Sequence, residues 1–181
     1  MSCRAVLALA SLLAVLPAPD GRAEKMAAQV SVCFVPGEPC ASQIVDAIGA
    51  ARGEVRVQAY GFSAAPIIAA LVAARARGVD VAVILDRSDE RRLCDFGATL
   101  LAAGVKVWID HVPGIAHNKI IVIDRRIVIG GSYNYTLSAE RRNAENVTII
   151  ESEAVAARFL ANWARRQAAA EFLVAADACE P

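Results

Sequence analysis

Six polar residues between positions 117 and 145 are of the types needed to bind a phosphodiester and to break it. They are His117, Lys119, Asp124, Ser132, Asn134 and Glu145. An imidazole is a side-chain base that can be unprotonated, and therefore nucleophilic, near neutral pH, and an ammonium group supplies a compact positive charge. Hydroxyl and carboxamide groups donate hydrogen bonds to an anionic oxygen. The segment therefore predicts covalent catalysis on a phosphodiester.

The spacing within this segment predicts a β-hairpin that carries the reactive groups. Residues 118–123 form a mostly β-branched apolar run, which is typical of a strand. Side chains alternate between the two faces of a strand, so His117 and Lys119 are expected to project to the same side. The polar residues 124–126 suit a tight turn, and residues 127–129 predict the returning strand.

Two glycines follow the hairpin and precede further polar residues. Gly130 and Gly131 lack a Cβ, so we expect the backbone there to approach a ligand closely. Ser132 and Asn134 are again two positions apart and could both face the pocket. Imidazole, ammonium, hydroxyl and carboxamide would then converge on one spot, which favours binding of an anionic oxygen.

This pattern resembles the HxK(x)4D(x)6GSxN signature of the phospholipase D superfamily. Every defined position is matched, by His117, Lys119, Asp124, Gly131, Ser132 and Asn134. The stretches VCFVPG, RVQAYGFS, ARGVDVAVILD and ENVTII also resemble the small bacterial Nuc-type endonuclease branch, over roughly residues 29–163. The same branch includes a mitochondrial relative described as a cardiolipin hydrolase or an RNA-processing nuclease.

The reaction assigns a role to each group. We expect His117 to attack phosphorus and form a phosphohistidine, while Lys119 neutralises a phosphate oxygen. Ser132 and Asn134 would donate hydrogen bonds to the same phosphate. The resemblance implies that Glu145 accepts the Nδ1 proton of His117.

Two further roles concern support of this site. Asp124 ends a strand at a turn, so we interpret it as a structural or supporting residue that holds either Lys119 or a backbone amide. A second proton donor must protonate the leaving alkoxide, and the only other histidine, His111, lies outside the motif. A homodimer with its twofold axis through a shared active site would supply a second His117, and the resemblance implies the same arrangement.

Strands and helices alternate along the chain, which predicts one α/β domain over residues 24–181. The resemblance implies a phospholipase D-like α/β/α sandwich with a mixed central sheet. Besides the hairpin, we expect strands over 30–35, 54–60, 79–85, 105–109 and 145–151, and helices over 42–52, 64–77, 93–103 and 153–169.

The first 23 residues have the pattern of a secretory signal peptide, with a positive start, an apolar run over residues 5–16 and a small-residue exit before Glu24. The alternative is an uncleaved, membrane-associated N-terminus. A cleaved signal peptide predicts a periplasmic or secreted protein, in which cysteines tend to form disulfides.

The cysteines that remain after the signal peptide are even in number. Cys33 and Cys40 flank the turn-rich stretch FVPGEP, so we predict that they are bonded, and Cys94 and Cys179 would then pair by elimination. The alternative for the second pair is two buried free thiols. Neither the cysteines nor the carboxylates are clustered as in zinc sites or two-metal nucleases, so we expect no metal and no other cofactor.

Charge bears on the choice of substrate. Without Arg4, Arg22 and Asp20, the 19 basic and 19 acidic residues fall to 17 and 18, whereas nucleic-acid binders usually carry a basic excess. Any contact with nucleic acid would therefore need a local patch, formed by Arg87, Arg91, Arg92, Arg125, Arg126, Arg141 and Arg142.

Three functions are compatible with these features. The first is a non-specific endonuclease that acts on DNA, with RNA as a further candidate substrate. The second is a phospholipase D that hydrolyses headgroups such as that of phosphatidylcholine, for which Val112, Pro113 and Ile115 offer a small apolar rim. The third, a catalytically silent phosphate-binding module, is disfavoured by the complete set of catalytic residue types.

Overall fold

A mixed sheet of eight strands runs through the part of the chain that the structure, a computed structural model, describes. This part is residues 23–174, of which 90–95 are described by their backbone alone. The strands are β1 Gln29–Val35, β2 Glu54–Ala59, β3 Asp80–Asp86, β4 Lys106–Asp110, β5 Lys119–Ile123, β6 Ile127–Gly131, β7 Glu145–Glu151 and β8 Glu171–Phe172. Their order is β1-β7-β6-β5-β2-β3-β4-β8, with β2, β3 and β4 parallel and the other neighbours antiparallel.

Helices cover both faces of this sheet, which confirms the predicted α/β/α sandwich. They are α1 Cys40–Ala50, α2 Ala65–Ala76, α3 Leu93–Ala102, α4 Leu137–Arg141 and α5 Glu153–Ala169. On one face, the fully buried Ile44, Leu71 and Leu100 of α1, α2 and α3 pack against strand residues such as Val57 and Val83. No helix within residues 23–174 combines the length and the apolar character needed to cross a membrane.

Helix α5 covers the other face and begins and ends where the sequence pattern predicts. The hydroxyl of Ser152 caps its first turn by accepting a hydrogen bond from the backbone N–H of Val155. Trp163 is buried against Ala82, and its indole N–H donates to the carbonyl oxygen of Val57 at 2.9 Å. This bond attaches the helix to the centre of the sheet.

Two short elements were not predicted. Strand β8 pairs only two of its residues with β4, and α4 has five residues after its N-cap Thr136. Neither is long enough to show the apolar periodicity on which a prediction from sequence depends.

The disulfide predicted in the first part of the domain is present. Cys33 of β1 and Cys40 at the start of α1 are bonded, with an S–S distance of 2.02 Å. Both cysteines are fully buried. The bond joins the edge strand to the first helix, whereas the proposed pairing of Cys94 with Cys179 lies outside the described residues, as does the predicted signal peptide apart from its last residue.

One strip of the sheet on the α5 side is exposed. Val30, Val32 and Phe34 of β1 have exposed fractions of 59%, 48% and 56%. They alternate with Cys33 and Val35, which face the core on the other side of the sheet. The edge strand β1 therefore carries an apolar stripe that α5 leaves exposed to solvent.

The hairpin between β5 and β6 closes through a two-residue turn in an unusual conformation. Asp124 and Arg125 have φ values of +50° and +57°, and the N–H of Arg126 donates to the carbonyl oxygen of Ile123 at 3.0 Å. Turns of this kind favour asparagine or glycine because other residues are strained at positive φ. Other contacts must therefore stabilise this turn.

The carboxylate of Asp124 provides those contacts. It accepts hydrogen bonds from the backbone N–H groups of Arg52, Gly53 and Glu54 at 2.9, 2.7 and 3.0 Å. Burial of the carboxylate would raise the pKa of Asp124, but these hydrogen bonds outweigh burial and keep the pKa below its usual value. Of the two supporting roles proposed for Asp124, the structure shows the hold on backbone amides and not a hold on Lys119.

We predict that Asp124→Asn destabilises the fold in a pH-dependent way. The carboxamide replaces one acceptor oxygen by an NH2 group, so at neutral pH we expect a loss of about 1–3 kcal/mol in the free energy of unfolding. Because the pKa of Asp124 is lowered by folding, its contribution is complete above the unfolded pKa of about 3.9 and disappears as the pH falls through the folded pKa.

Urea unfolding of wild type and variant at neutral and acidic pH measures this difference. Asp46→Asn on the exposed face of α1 is the matched control and should change little at either pH. If Asp124→Asn lowers the free energy of unfolding no more than Asp46→Asn does, or by the same amount at both pH values, the proposed role of Asp124 in holding the backbone amides is contradicted.

Candidate active site

The predicted reactive residues meet at one edge of the sheet. Strands β5 and β7 begin at this edge, and β2, β3, β4 and β6 end there, as the pairings Ala59 with Lys119 and Asp86 with Asp110 require. Five of the six predicted residues lie at this edge, namely His117, Lys119, Ser132, Asn134 and Glu145. Asp124 follows the opposite end of β5. It therefore lies apart from the other five residues and belongs to the turn of the hairpin.

His117 presents its imidazole to solvent just before β5. Its side chain is exposed, and its ring centroid lies 4.6 Å from that of Tyr60, with the planes inclined by 60°. The backbone beside it is fixed, because the carbonyl oxygen of Asn118 accepts a hydrogen bond from the N–H of Tyr60 at 2.8 Å. The imidazole is therefore both accessible to a substrate and supported by an aromatic ring.

Lys119 is the buried cation of the site, with only 7% of its surface exposed. Its Nζ donates to the carbonyl oxygen of His117 at 3.2 Å and lies 5.2 Å from the centre of the Tyr60 ring. Burial lowers the pKa of Lys119, and the negative charge of Glu145 opposes this effect in part. A poorly hydrated ammonium group gains from an anionic oxygen placed beside it, so Lys119 suits phosphate binding.

Glu145 does not contact His117 in the way the resemblance implies. Its Oε2 accepts a hydrogen bond from the Ser132 hydroxyl at 2.5 Å, and its Oε1 accepts one from Asn143 at 2.7 Å. The sheet order explains the difference: β6 lies between β5 and β7, so the carboxylate at the start of β7 meets the end of β6 first. Within one subunit Glu145 therefore pairs with Ser132, and the pairing with His117 that the resemblance implies stays a prediction.

This pairing also changes what Ser132 can do. A hydroxyl has one hydrogen to donate, and here Ser132 donates it to Glu145 while accepting from the N–H of Asn146 at 3.1 Å. Ser132 can therefore donate to a phosphate only if its bond to Glu145 is released.

Asn134 has more freedom. It is half-buried against Gly61, and its Oδ1 has no hydrogen-bond partner among the described residues. Its neighbours Tyr133 and Tyr135 are 2% and 1% exposed, so the backbone on both sides of it is fixed in the core. The free Oδ1 can accept a hydrogen bond from a ligand, whereas a phosphate oxygen would need the NH2 group of the same side chain as its donor.

Gly131 is required by the packing of the chain itself, a reason that the sequence pattern did not indicate. Its φ is +141°, and a Cβ at this position would lie 2.3 Å from the carbonyl oxygen of Asn146. Within the chain, this close approach is between β6 and β7. The glycine lets Ser132 and Glu145 come together.

Sequence reasoning missed two residues at this edge, Tyr60 and Asp86. Tyr60 directly follows β2 and contacts both His117 and Lys119. Asp86 is a fully buried carboxylate at the end of the apolar strand β3. A polar or aromatic residue at the end of a buried strand was the available signal for both.

The side chains of Arg91 and Arg92 lie outside the described residues, and the other five arginines of the predicted patch are divided between two edges of the sheet. Arg125 and Arg126 lie on the hairpin turn at the edge opposite the site, where a cleft of about 790 Å³ is lined by Arg125 and α5. Arg87 follows β3, and Arg141 and Arg142 end α4, on the side of the site. At most, this second group can form a basic surface beside the reactive residues.

Comparison with protein families and solved structures agrees with this architecture. Residues 44–166 match the family model described as "Cardiolipin synthase, PLD-like domain". The chain superposes on Nuc of Salmonella typhimurium, described as a phospholipase D family member, with a TM-score of 0.72 and 32% identity, covering 81% of this chain and 99% of Nuc.

Curated relatives carry two names. The chain is 47% identical over 140 residues to "Phospholipase D" of Rickettsia bellii, which covers 77% of this chain and 70% of the relative. It is 33% identical over 141 residues to the human "Mitochondrial cardiolipin hydrolase", covering 74% of this chain and 53% of that protein.

We predict that Gly131→Ala destabilises the protein and disrupts the site. The added methyl group meets the backbone of Asn146, so we expect a loss of about 1–3 kcal/mol in the free energy of unfolding. Gly49→Ala in α1 is the matched control: a Cβ there meets open space, and alanine should stabilise the helix by up to about 1 kcal/mol. Denaturant titration compares the two, and equal stabilities of Gly131→Ala and wild type would show that the contact is unimportant.

Proposed function

The chain belongs to the phospholipase D family, and we propose that it is a phosphoric diester hydrolase that works through a covalent phosphohistidine on His117. One observation carries this proposal. An exposed imidazole lies two residues from the buried ammonium group of Lys119, and the ring of Tyr60 contacts both side chains. A nucleophile and a phosphate-binding cation are thus held together on a rigid sheet edge.

The reaction divides into two displacements. In the first, an imidazole nitrogen of His117 attacks phosphorus, a P–N bond forms, and the P–O bond to the leaving alkoxide breaks as a proton donor protonates that oxygen. In the second, water attacks the phosphohistidine, the P–N bond breaks, and the imidazole is restored. Lys119 neutralises the non-bridging oxygens throughout, and Asn134 offers its carboxamide to the same group.

The proton donor leads us to propose a homodimer. His111 lies outside the reactive group and pairs with Glu171, with 3.3 Å between Nε2 and Oε2. His117 of the partner subunit could serve as the acid if a twofold axis passes beside the site. The apolar stripe of β1 supports this arrangement, since Phe34 at its end pairs with Asn146, next to Glu145. We propose that a second copy covers the end of this stripe at the edge of the sheet where the site lies, so that a twofold axis there places two His117 side chains near each other.

We predict that Phe34→Glu yields a monomer with little activity. A buried, unpaired carboxylate opposes association through this surface, and removal of the second histidine should slow turnover by at least about 100-fold. Sedimentation gives the oligomeric state. Phe172→Glu is the control, because Phe172 is similarly exposed, at 51%, but lies on the strand at the other end of the sheet. A dimeric and fully active Phe34→Glu protein would exclude this interface.

We propose a phospholipid as the substrate. From the sequence alone, nucleic acid is the first candidate and phospholipid the second. Ile115 and Leu137 are 55% and 54% exposed, and they lie two residues before His117 and three residues after Asn134. Exposed apolar side chains beside a phosphodiester site suit contact with a lipid surface. Two further facts support the same choice: relatives are named phospholipase D, and Arg125 and Arg126 lie at the sheet edge opposite the site.

A nucleic acid is the second candidate. Arg141 and Arg142 are exposed at the end of α4, beside the site, and could contact a phosphate backbone. The resemblance to the Nuc-type branch supports this candidate. The chemistry is identical for both substrates, so only binding outside the reactive group distinguishes them.

One panel of substrates tests the proposed function. Mature protein and His117→Ala are offered phosphatidylcholine vesicles, anionic vesicles, plasmid DNA, RNA and bis(para-nitrophenyl) phosphate, all with EDTA. We expect wild-type turnover to persist in EDTA and to disappear in His117→Ala, because the proposed steps use no metal. Lipid cleavage supports the first candidate and nicked plasmid supports the second. Inactivity on every substrate, or loss of all turnover with EDTA, would contradict the mechanism.

Within this panel, Ile115→Ser distinguishes lipid contact from chemistry. Loss of an aliphatic group that would be buried against lipid should lower the ratio of vesicle to soluble-diester turnover by about tenfold. Val174→Ser is the control, since Val174 is 47% exposed and follows β8 on the side away from the site. Equal ratios in the two variants would remove the argument for a lipid-facing rim.

A further inference from the structure

The loop that carries His117 is held at both ends by buried carboxylates. It comprises residues 111–118, between β4 and β5. Asp110 and Asp86 end the neighbouring strands β4 and β3, pair with each other in register, and are both 0% exposed. Burial of two adjacent carboxylates costs free energy unless their oxygens accept hydrogen bonds or contact a positive charge. The groups that they contact therefore indicate their role.

The two carboxylates bind opposite ends of the loop. Asp110 accepts a hydrogen bond from the N–H of Val112 at 3.1 Å and is neutralised by the guanidinium of Arg166. Asp86 accepts one from the N–H of Ala116 at 2.6 Å. Asp110 therefore holds the start of the loop, and Asp86 holds its end, one residue before His117.

Asp86 differs from Asp110 in the nature of its partners. Its other oxygen accepts hydrogen bonds from the N–H and the hydroxyl of Ser88 at 2.9 and 2.6 Å. Among the described residues, no basic side chain donates a hydrogen bond to it. Burial would raise the pKa of Asp86, but these hydrogen bonds outweigh burial and keep the pKa low, so the group is an anion at neutral pH.

The backbone is thereby fixed on both sides of His117. On one side the N–H of Ala116 binds Asp86, and on the other the carbonyl oxygen of Asn118 binds the N–H of Tyr60. Two anchored peptide groups leave the imidazole little freedom besides rotation of its own side chain. The same anchoring places the imidazole against the ring of Tyr60.

We propose that Asp86 is a positioning residue for His117, which holds the Ala116 amide so that the imidazole stays against Tyr60 and beside Lys119. The consequence for catalysis rests on the proposed function, in which His117 is the nucleophile. The placement of the ring does not, so the two ideas can fail separately. Misplacement of a nucleophile by about 1 Å can cost 100-fold in rate.

Asp86→Ala tests the proposal, because it removes both carboxylate oxygens and with them the acceptor of the Ala116 N–H. The chain has two histidines, so each imidazole gives an assignable proton NMR signal. We expect the His117 signal to lose the ring-current shift from Tyr60 and the His111 signal to stay unchanged. With bis(para-nitrophenyl) phosphate, kcat should fall about 10- to 100-fold, with KM changed less than about twofold.

The controls separate positioning from general stability. Ser88→Ala removes the hydroxyl from the other oxygen of Asp86 and should alter neither the His117 signal nor kcat appreciably. If Asp86→Ala does not fold, Ala116→Pro removes the same hydrogen bond from the donor side and should shift the same signal. An unshifted His117 signal in a folded variant overturns the proposal, whatever happens to kcat. The signal could shift while the His117→Ala variant remains active. That result would support the positioning role of Asp86 and contradict the proposal that His117 is the nucleophile.

Discussion

The pairing of β5 with β2 and of β6 with β7 is the constraint on which the site depends. Lys119 lies opposite Ala59, and Gly131 lies opposite Val147, so the start of β5 and the end of β6 meet at one edge. Side chains alternate along a strand, so a shift of one residue in either pairing would turn the reactive groups to the other face. The apolar cores on both faces oppose such a shift, because it would expose buried side chains.

Carboxylates at the edges of this sheet act mainly through backbone amides. Asp124 binds three N–H groups at one edge, and Asp86 binds the loop of the nucleophile at the other. Glu140 accepts hydrogen bonds from the Tyr133 hydroxyl and from the N–H of Ala41, so it connects the turn of Ser132 and Asn134 to α1. A charged acceptor strengthens each hydrogen bond, which suits segments that lack the regular bonding of a strand.

The openness of the site is consistent with a reaction that needs more than one copy of the chain. The imidazole of His117 is exposed, and an apolar stripe begins at the same edge and continues along β1. If a second copy covers that stripe, the two exposed imidazoles become the walls of one enclosed site.

Much of this protein follows from the order of its residues. The motif from His117 to Asn134 indicates the chemistry, the alternation of strands and helices indicates the sandwich, and the position of two cysteines around a turn indicates their bond. These features depend on neighbours in sequence, whose periodicity and spacing are local properties. The long helix Glu153–Ala169 was predictable at both ends for the same reason.

Only the tertiary structure decided which of the predicted residues meet. Asp124 follows Lys119 by five positions, yet a straight strand separates the two across the sheet. Glu145 lies on β7, with β6 between it and β5, and within one subunit its hydrogen-bond partner is Ser132. Asp86 lies thirty positions before Ala116 and shows no motif. Such contacts are set by strand order and register, which arise from packing between distant segments and which no local pattern records.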